Sequence, residues 1–136
     1  MSSDARMMNG ILLLTIPTIQ YGGYFLLGVL SGKHRALALN EFQKAMFRAG
    51  HAHAGVIVML SVVCQLLLDH VALSSGVIWS LRVGFPLSAI LISGGFFASA
   101  LGRGVTAPTR MIGLLYLGAA VLALSLILTG IGLLWA

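Results

Sequence analysis

Four apolar runs, separated by short polar segments, organise the whole chain. Three of them are long: residues 11–30, about 77–101 and about 112–135. A helix needs about 20 mostly apolar residues to cross a bilayer, and each of these runs is long enough. The second run, 54–68, is too short, so a helix that crosses there must begin nearer Ala45. The pattern predicts four membrane helices, over about 10–30, 45–69, 77–101 and 109–135.

The composition agrees with a chain that is embedded in lipid. Of its 136 residues, 59% are hydrophobic and 8% are charged, whereas a soluble domain has roughly 25% charged residues. So few charges exclude a soluble enzyme and a disordered chain, and the single Cys64 excludes a disulfide-stabilised secreted domain. We therefore predict one domain over 1–136, an all-α integral membrane four-helix bundle.

Most basic residues lie in two segments between the apolar runs. The net charge is +5, but no motif indicates nucleic-acid binding, and lipid head groups are the simpler partner. The segments 31–49 and 102–110 are basic, whereas Arg6 stands alone on the other side. Their basic residues are Lys33, Arg35, Lys44, Arg48, Arg103 and Arg110. The positive-inside rule places both segments in the cytoplasm and both termini outside, as expected in a bacterial inner membrane.

Glycines are frequent in three of the predicted helices. Small residues allow helices to approach closely in lipid, where packing drives association. We therefore expect a tight bundle. The glycines concerned are Gly22, Gly23 and Gly28 in the first helix, Gly84, Gly94 and Gly95 in the third, and Gly113, Gly118, Gly130 and Gly132 in the fourth.

The densest polar cluster is Arg-Ala-Gly-His-Ala-His-Ala-Gly at 48–55, where the second helix begins. Ionisable residues at membrane depth are functional candidates, and neutral imidazole is a common metal ligand. His51 and His53 are two residues apart, about 200° around a helix, so both cannot bind one ion unless the backbone unwinds at Gly50. The alternative is that both are hydrogen-bonding residues at the membrane boundary.

The other predicted helices contain no histidine. A haem bound by two histidines of one chain is therefore not expected. A site with one axial histidine and an open position fits better, and an imidazole from another subunit is an alternative. The residues alone do not distinguish haem from another metal centre. We interpret His34 and His70, in loops or at helix ends, as solvated.

Arg82 is a charged residue inside the third apolar run, near its outer end. An unpaired charge there costs about 2.5–3.5 kcal/mol on insertion scales. We therefore expect its side chain to reach outward and pair with Asp69, at the end of the second helix. The functional alternative is that Arg82 contacts an anion or a haem propionate.

Two tyrosines form a polar stripe on the first helix. Tyr21 and Tyr24 are three residues apart and therefore share a face. We expect them to join helices or to anchor the membrane interface. The alternative is that a tyrosine hydroxyl donates a hydrogen bond to a substrate oxygen, which makes both candidate catalytic residues. On the second helix, Ser61 and Gln65 are similar interhelical candidates, and Cys64 is interpreted as a packing residue.

Three segments together resemble a known family. They are Gly-Ile-Leu-Leu-Leu at 10–14, the run 48–55, and Gly-Phe-Phe at 95–97 before a Gly-Arg-Gly turn. The layout resembles styrene oxide isomerases, small four-helix membrane enzymes with haem b. In that family an Arg-Ala-His-Ser-Gly run supplies the axial histidine. Ala-His-Ala-Gly at 52–55 matches it without a gap, which favours His53, whereas Arg48-Ala49 with a one-residue insertion favours His51.

The resemblance implies a homotrimer that binds haem b. His53 and His51 are then the candidate metal ligands. With Arg48 they are the candidate cofactor-binding residues, while Tyr21 and Tyr24 are candidate substrate contacts. Ferric iron would act as a Lewis acid on a small apolar epoxide that enters from the bilayer. The product would be a carbonyl compound, with no net redox change.

The chain also departs from the family's pattern. Met59 stands where the family has an asparagine, and Phe97 or Phe96 stands where it has a tyrosine, with no acid nearby on the third helix. Haem binding with a lost or changed activity is therefore one expectation. Two other function classes are an accessory subunit of a larger membrane complex and a small transporter or channel. The latter is disfavoured because no carboxylate is predicted inside the membrane.

Overall fold

The chain is all-helical in a computed structural model, which describes residues 1–33 and 39–136. Four long helices follow in order, and one 3-10 turn precedes α3 and another precedes α4. The helices are α1 (Ser3–Leu30), α2 (Glu41–Leu67), α3 (Ser75–Ser99) and α4 (Gly113–Leu134), and the turns are Leu68–His70 and Arg110–Ile112. Each helix, with its adjoining turn, is long and apolar enough to cross a membrane. The predicted all-α integral membrane bundle is confirmed.

Two of the helices begin earlier than the apolar pattern predicts, because polar residues cap them. The hydroxyl of Ser2 accepts a hydrogen bond from the backbone of Ala5 at 3.1 Å, which starts α1 within the polar N-terminal segment. At α2, Asn40 and Gln43 each bond the other's backbone in a capping box. Helix α2 therefore starts at Glu41, not near Ala45, and the histidines lie well inside it.

Helices α2 and α3 form the centre of the bundle, and α1 and α4 lie on its flanks. In the most apolar window of each helix, 33% of α2 and 39% of α3 residues are buried, against 6% of α1 and 11% of α4. Leu12, Ile57, Val58, Ala89 and Ile92 make up one buried cluster, which joins α1, α2 and α3. Much of the surface of α1 and α4 therefore faces outward, towards lipid or another chain.

Close packing of α3 against α4 depends on glycine. A Cβ at Gly95 would lie 2.5 Å from the backbone nitrogen of Leu115, and one at Gly118 would lie 2.8 Å from that of Ile92. No side chain fits into such gaps without moving the backbone. The expectation of a tight bundle is confirmed for this pair of helices. Several other glycines, including Gly94, Gly113 and Gly130, meet nothing within 4 Å.

One end of the bundle, which we call the ion-pair end, is closed by Ser2, Asp69 and Arg82. Arg82 is 3% exposed, and its Nη2 donates to a carboxylate oxygen of Asp69 at 2.6 Å. Ser2 donates to the same carboxylate through its backbone nitrogen and its hydroxyl, at 2.7 and 2.6 Å. The predicted pairing of Arg82 with Asp69 is confirmed. The pair joins α3 to the end of α2 and, through Ser2, to the start of α1.

Gln65 also belongs to this network, and one of its hydrogen bonds depends on Pro86. Pro86 has no N–H, so the carbonyl of Arg82, four residues earlier, lacks its helical donor. The side-chain amide of Gln65 donates to that carbonyl at 2.8 Å. Its oxygen accepts from Nη1 of Arg82 at 3.0 Å. Gln65 is fully buried, and its predicted role in joining helices is confirmed. Cys64 is 3% exposed within a core cluster, as expected of a packing residue.

Candidate functional site

The opposite end of the bundle, which we call the basic end, holds a cavity. The described basic residues at this end include Lys33, Arg48 and Arg103, which form no ion pair with a described residue, whereas Lys44 pairs with Glu41 at 2.8 Å. Two side chains tie the start of α2 to the segment after α3. Gln43 donates to the carbonyls of Ala100 and Gly102 at 2.9 and 2.8 Å. Asn40 donates to the carbonyl of Val105 at 2.8 Å.

The cavity has a volume of about 780 Å³ and lies between α1, α2 and the segment after α3. This volume falls within the range of about 300–1,000 Å³ that is usual for small-molecule sites. Its walls are mostly apolar, with polar side chains at Gln43, His51 and Arg103. The remaining lining residues are Gly22, Phe25, Leu26, Val29, Leu39, Phe47, Phe97, Ala100, Leu101, Gly102 and Gly104.

The two histidines point in different directions, as their spacing predicts. Helix α2 is continuous through Gly50, so the backbone is not unwound there and the pair does not converge on one ion. His51 lies towards α1 and lines the cavity. Its ring fits against Gly23, where a Cβ would lie only 2.6 Å from Nε2. Neither ring nitrogen of His51 has a hydrogen-bond partner among the residues that the structure describes.

His53 lies outside the cavity, on the exposed surface of α2. Its Nδ1 is 2.8 Å from the carbonyl oxygen of Ala49, one helical turn earlier. The imidazole also packs against Phe96 of α3, with ring centroids 4.9 Å apart and planes tilted by 35°. Two contacts therefore fix the ring. No described residue bonds to its Nε2.

The small residues around the histidines have two separate roles. Gly50 is buried, and a Cβ there would lie 3.1 Å from both Phe96 and Phe97. Its lack of a side chain lets the two phenylalanines approach α2. By contrast, Ala52 is exposed, and a Cβ at Gly55 would meet nothing within 4 Å. Gly55 lies one turn after His51 and about 200° around α2 from His53, so its open space is on the His51 side of the helix.

The remaining predicted site residues are not in the cavity. Arg48 is exposed on α2, about one and a half turns before His53 and on a different face. Tyr21 and Tyr24 are 71% and 74% exposed, so they join no helices within one chain. As substrate contacts, they would have to act at the outer surface of α1. Met59 is also exposed, at 54%.

Phe97 lines the cavity, and Phe96 contacts His53. Of these two phenylalanines, therefore, Phe96 is the one that lies beside His53. His70 is exposed, as predicted. His34 and Arg35 lie outside the described residues.

Metal binding by protein side chains alone would need several ligands close together. Among residues 1–33 and 39–136, no group of three or more His, Cys, Asp and Glu side chains is arranged to hold a metal ion. A haem needs fewer protein ligands, because the porphyrin supplies four nitrogens and the protein commonly supplies one axial imidazole.

Comparisons with protein-family models, curated proteins and solved structures find no match to this chain.

Three further residues shape the site, Asn40, Gln43 and Arg103, and no predicted functional motif includes them. Asn40 and Gln43 have the spacing of a capping box, with an N-cap residue followed three positions later by Gln, so this signal was present in the sequence. The sequence indicates Arg103 only as a basic residue of the segment 102–110. Its place on the cavity wall depends on how the segment after α3 folds back over α2, which no local pattern indicates.

Proposed function

We propose that this chain is a haem-b-binding membrane protein of the epoxide-isomerase type, with His53 as the axial ligand. One observation supports this choice of ligand most strongly: the 2.8 Å contact between Nδ1 of His53 and the carbonyl of Ala49. A carbonyl oxygen can only accept, so Nδ1 is the donor and the neutral ring has its lone pair on Nε2. Metal-binding histidines are commonly held by such a bond from the other ring nitrogen.

The surroundings of His53 fit a large flat group. The side chain is exposed, and Val56, three residues later on the same face of α2, is 68% exposed. An imidazole lone pair that faces lipid without a partner is costly, and ligation removes that cost. Arg48 is an exposed cation on a different face of α2, where it would suit the carboxylate of a propionate on a haem held by a second copy. His51 lacks the carbonyl contact that fixes the tautomer of His53.

When bound, ferric haem supplies a Lewis acid for the oxygen of an epoxide, which favours rearrangement to a carbonyl compound. The chain supplies the position and the surroundings. Phe96 holds the imidazole from one side. Val56 and Met59, 68% and 54% exposed, make the nearby surface of α2 apolar. Such a surface excludes water and accepts a small apolar substrate directly from the bilayer.

Several copies of this chain would assemble around the haem, with one orientation in the membrane. A ligand on the outer surface of one chain would place the haem next to a second copy, in line with the homotrimer that the resemblance implies. Tyr21 and Tyr24, exposed on α1, are then available to a site between copies. The excess of basic residues orients the basic end towards the cytoplasm of a bacterium.

Absorption spectroscopy with matched histidine variants tests the ligand. The protein is purified in detergent after expression with haem supplied, and its Soret band is compared with the protein absorbance at 280 nm. We expect His53→Ala to lose the band and His51→Ala to keep it. Imidazole added to His53→Gly should restore haem binding, which a folding defect would not allow. A wild-type protein without a Soret band, or full retention in His53→Ala, would overturn the proposal.

A separate assay tests the activity. Wild-type protein in lipid vesicles is given styrene oxide, and the carbonyl product is measured by gas chromatography. We expect formation that depends on His53 and needs no added reductant or oxidant. Bound haem with no epoxide turnover would keep the haem assignment and remove the isomerase activity.

A further inference from the structure

Arg103 is an unpaired cation on the wall of the cavity at the basic end. It is exposed, and no described residue forms an ion pair or a hydrogen bond with it. Its backbone is held in place, because Gln43 bonds the carbonyl of the preceding Gly102. Gly102 and Gly104, on either side of it, have φ values of +118° and +70°, which other residues rarely adopt. The turn therefore fixes the backbone position from which the Arg103 side chain extends.

The cavity leads from this charge into an apolar space. Phe25, Phe47 and Phe97 line it, with Leu26 and Val29 of α1 beside them. From Gln43 to His51 the cavity follows α2 for eight residues, about 12 Å. It therefore combines a cationic end with an apolar body that runs along α2. His51, at the deep end, is the polar side chain farthest from the loop along α2.

We infer that this cavity binds a single-chain amphiphile with an anionic head group. The head group pairs with Arg103, whose guanidinium suits a carboxylate or a phosphate, and the acyl chain lies among the phenylalanines. The charge at one end and the apolar lining at the other match the two halves of such a molecule. The site is separate from the proposed haem ligand, because His53 does not line it.

General attraction of a basic protein to anionic lipid is the competing explanation. Several cations at the basic end would contribute to it, and the loss of any one would have a similar small effect. Arg110 provides the control, because it lies in the same segment, is exposed, and is not part of the cavity wall.

The test measures binding of ¹³C-carboxyl decanoate to the full chain in phosphatidylcholine nanodiscs, by NMR titration. Decanol tests the need for charge, and lysophosphatidylglycerol tests a phosphate head group. We expect Arg103→Gln to weaken decanoate binding by about tenfold or more, because a charge-assisted hydrogen bond is lost. Arg110→Gln should leave it within about twofold.

A second pair of variants keeps the test independent of charge. A Cβ at Gly22 would meet nothing within 4 Å, and Gly22 lines the cavity, so Gly22→Leu should fill the space without disturbing the packing. Gly10→Leu is the matched control, since Gly10 has the same open surroundings on α1 but does not line the cavity. We expect Gly22→Leu to abolish binding and Gly10→Leu to leave it unchanged.

Each outcome bears on the inference. Binding of decanoate assigns a free carboxylate, and binding of lysophosphatidylglycerol alone assigns a phosphate head group; both support it. Equal binding of decanol, equal losses in Arg103→Gln and Arg110→Gln, or full binding by Gly22→Leu would overturn it. The titration is repeated in His53→Ala, where haem plays no part, so its result is independent of the haem proposal.

Discussion

The two ends of this bundle differ in whether their charged side chains have partners within the chain. At the ion-pair end, Arg82 is 3% exposed and bonds to Asp69, Gln65 and Ser2. Towards the basic end, Arg103 and Arg48 form no ion pair or hydrogen bond with any described residue, and neither do the ring nitrogens of His51. At the middle of α2, no described residue bonds to Nε2 of His53. Polar groups that bond to one another stabilise a fold, whereas groups left without partners are available to a ligand.

The difference has a physical origin in where each set of partners lies. A buried charge is tolerated only when other groups compensate it, so the whole network around Arg82 must form together. Groups near the basic end can reach head groups and water, so they tolerate the absence of protein partners. We therefore expect variants at the ion-pair end to change stability and variants at the basic end to change binding.

The largest expected effect follows from breaking the ion pair. In Asp69→Asn the guanidinium of Arg82 stays buried without its counter-charge, and we expect a loss of about 3 kcal/mol or more in the free energy of unfolding. The measurement is equilibrium unfolding by SDS in mixed micelles, followed by circular dichroism. Asp4→Asn, an exposed acid at the same end without an ion pair, should cost less than about 1 kcal/mol.

A double variant sharpens this prediction. In Asp69→Leu/Arg82→Met both charges are absent, so we expect much of the lost stability to return. If the single and double variants are equally destabilised, the network is not held by charge.

The next effect concerns the contact between α3 and α4. Gly95→Leu would force a side chain into the backbone of Leu115, 2.5 Å from the Cβ position, and we expect a loss of about 1–3 kcal/mol. The adjacent Gly94→Leu meets nothing within 4 Å and should be neutral or slightly stabilising. The same SDS unfolding measurement applies. Equal losses in the two variants would indicate a general intolerance of α3 rather than close packing.

A smaller effect is expected where the basic end is itself held together. Gln43→Leu removes the donor to the carbonyls of Ala100 and Gly102 and should cost about 1–2 kcal/mol. Gln20→Leu, at an exposed position of α1, is the matched control and should cost nothing. Proteolysis of the segment after α3 should also become faster in Gln43→Leu alone. Unchanged proteolysis would show that Gln43 does not hold this segment.

The smallest effects on stability are expected at the free groups. His51→Ala and Arg103→Gln should each change the free energy of unfolding of the ligand-free protein by less than about 0.5 kcal/mol. His53→Ala also loses the ring contact with Phe96 and should cost about 0.5–1.5 kcal/mol. A loss as large as that of Asp69→Asn would mean that these residues hold the fold, and it would remove the contrast between the two ends.

The sequence predicts the helices better than it predicts the site. Hydropathy indicates four spans, and the scarcity of charge makes Asp69 the natural partner of Arg82. The start of α2 depends on a polar cap at Asn40 and Gln43, which an apolar pattern does not include.

The direction of each histidine depends on contacts that are distant in the sequence. Gly23 of α1 makes room for His51, and Phe96 of α3 packs on His53. Spacing along α2 shows that the two rings diverge. Only the packed bundle shows which of them enters the cavity.

The most direct test of the central claim compares Asp69→Asn with His53→Ala in two readouts, SDS unfolding and haem bound per chain. The account predicts that Asp69→Asn unfolds at a lower SDS fraction yet keeps its Soret band while folded. His53→Ala should lose the band and, as ligand-free protein, unfold at an SDS fraction closer to that of the ligand-free wild type than Asp69→Asn does. Loss of haem in the folded Asp69→Asn variant, or an intact Soret band in His53→Ala, would contradict it.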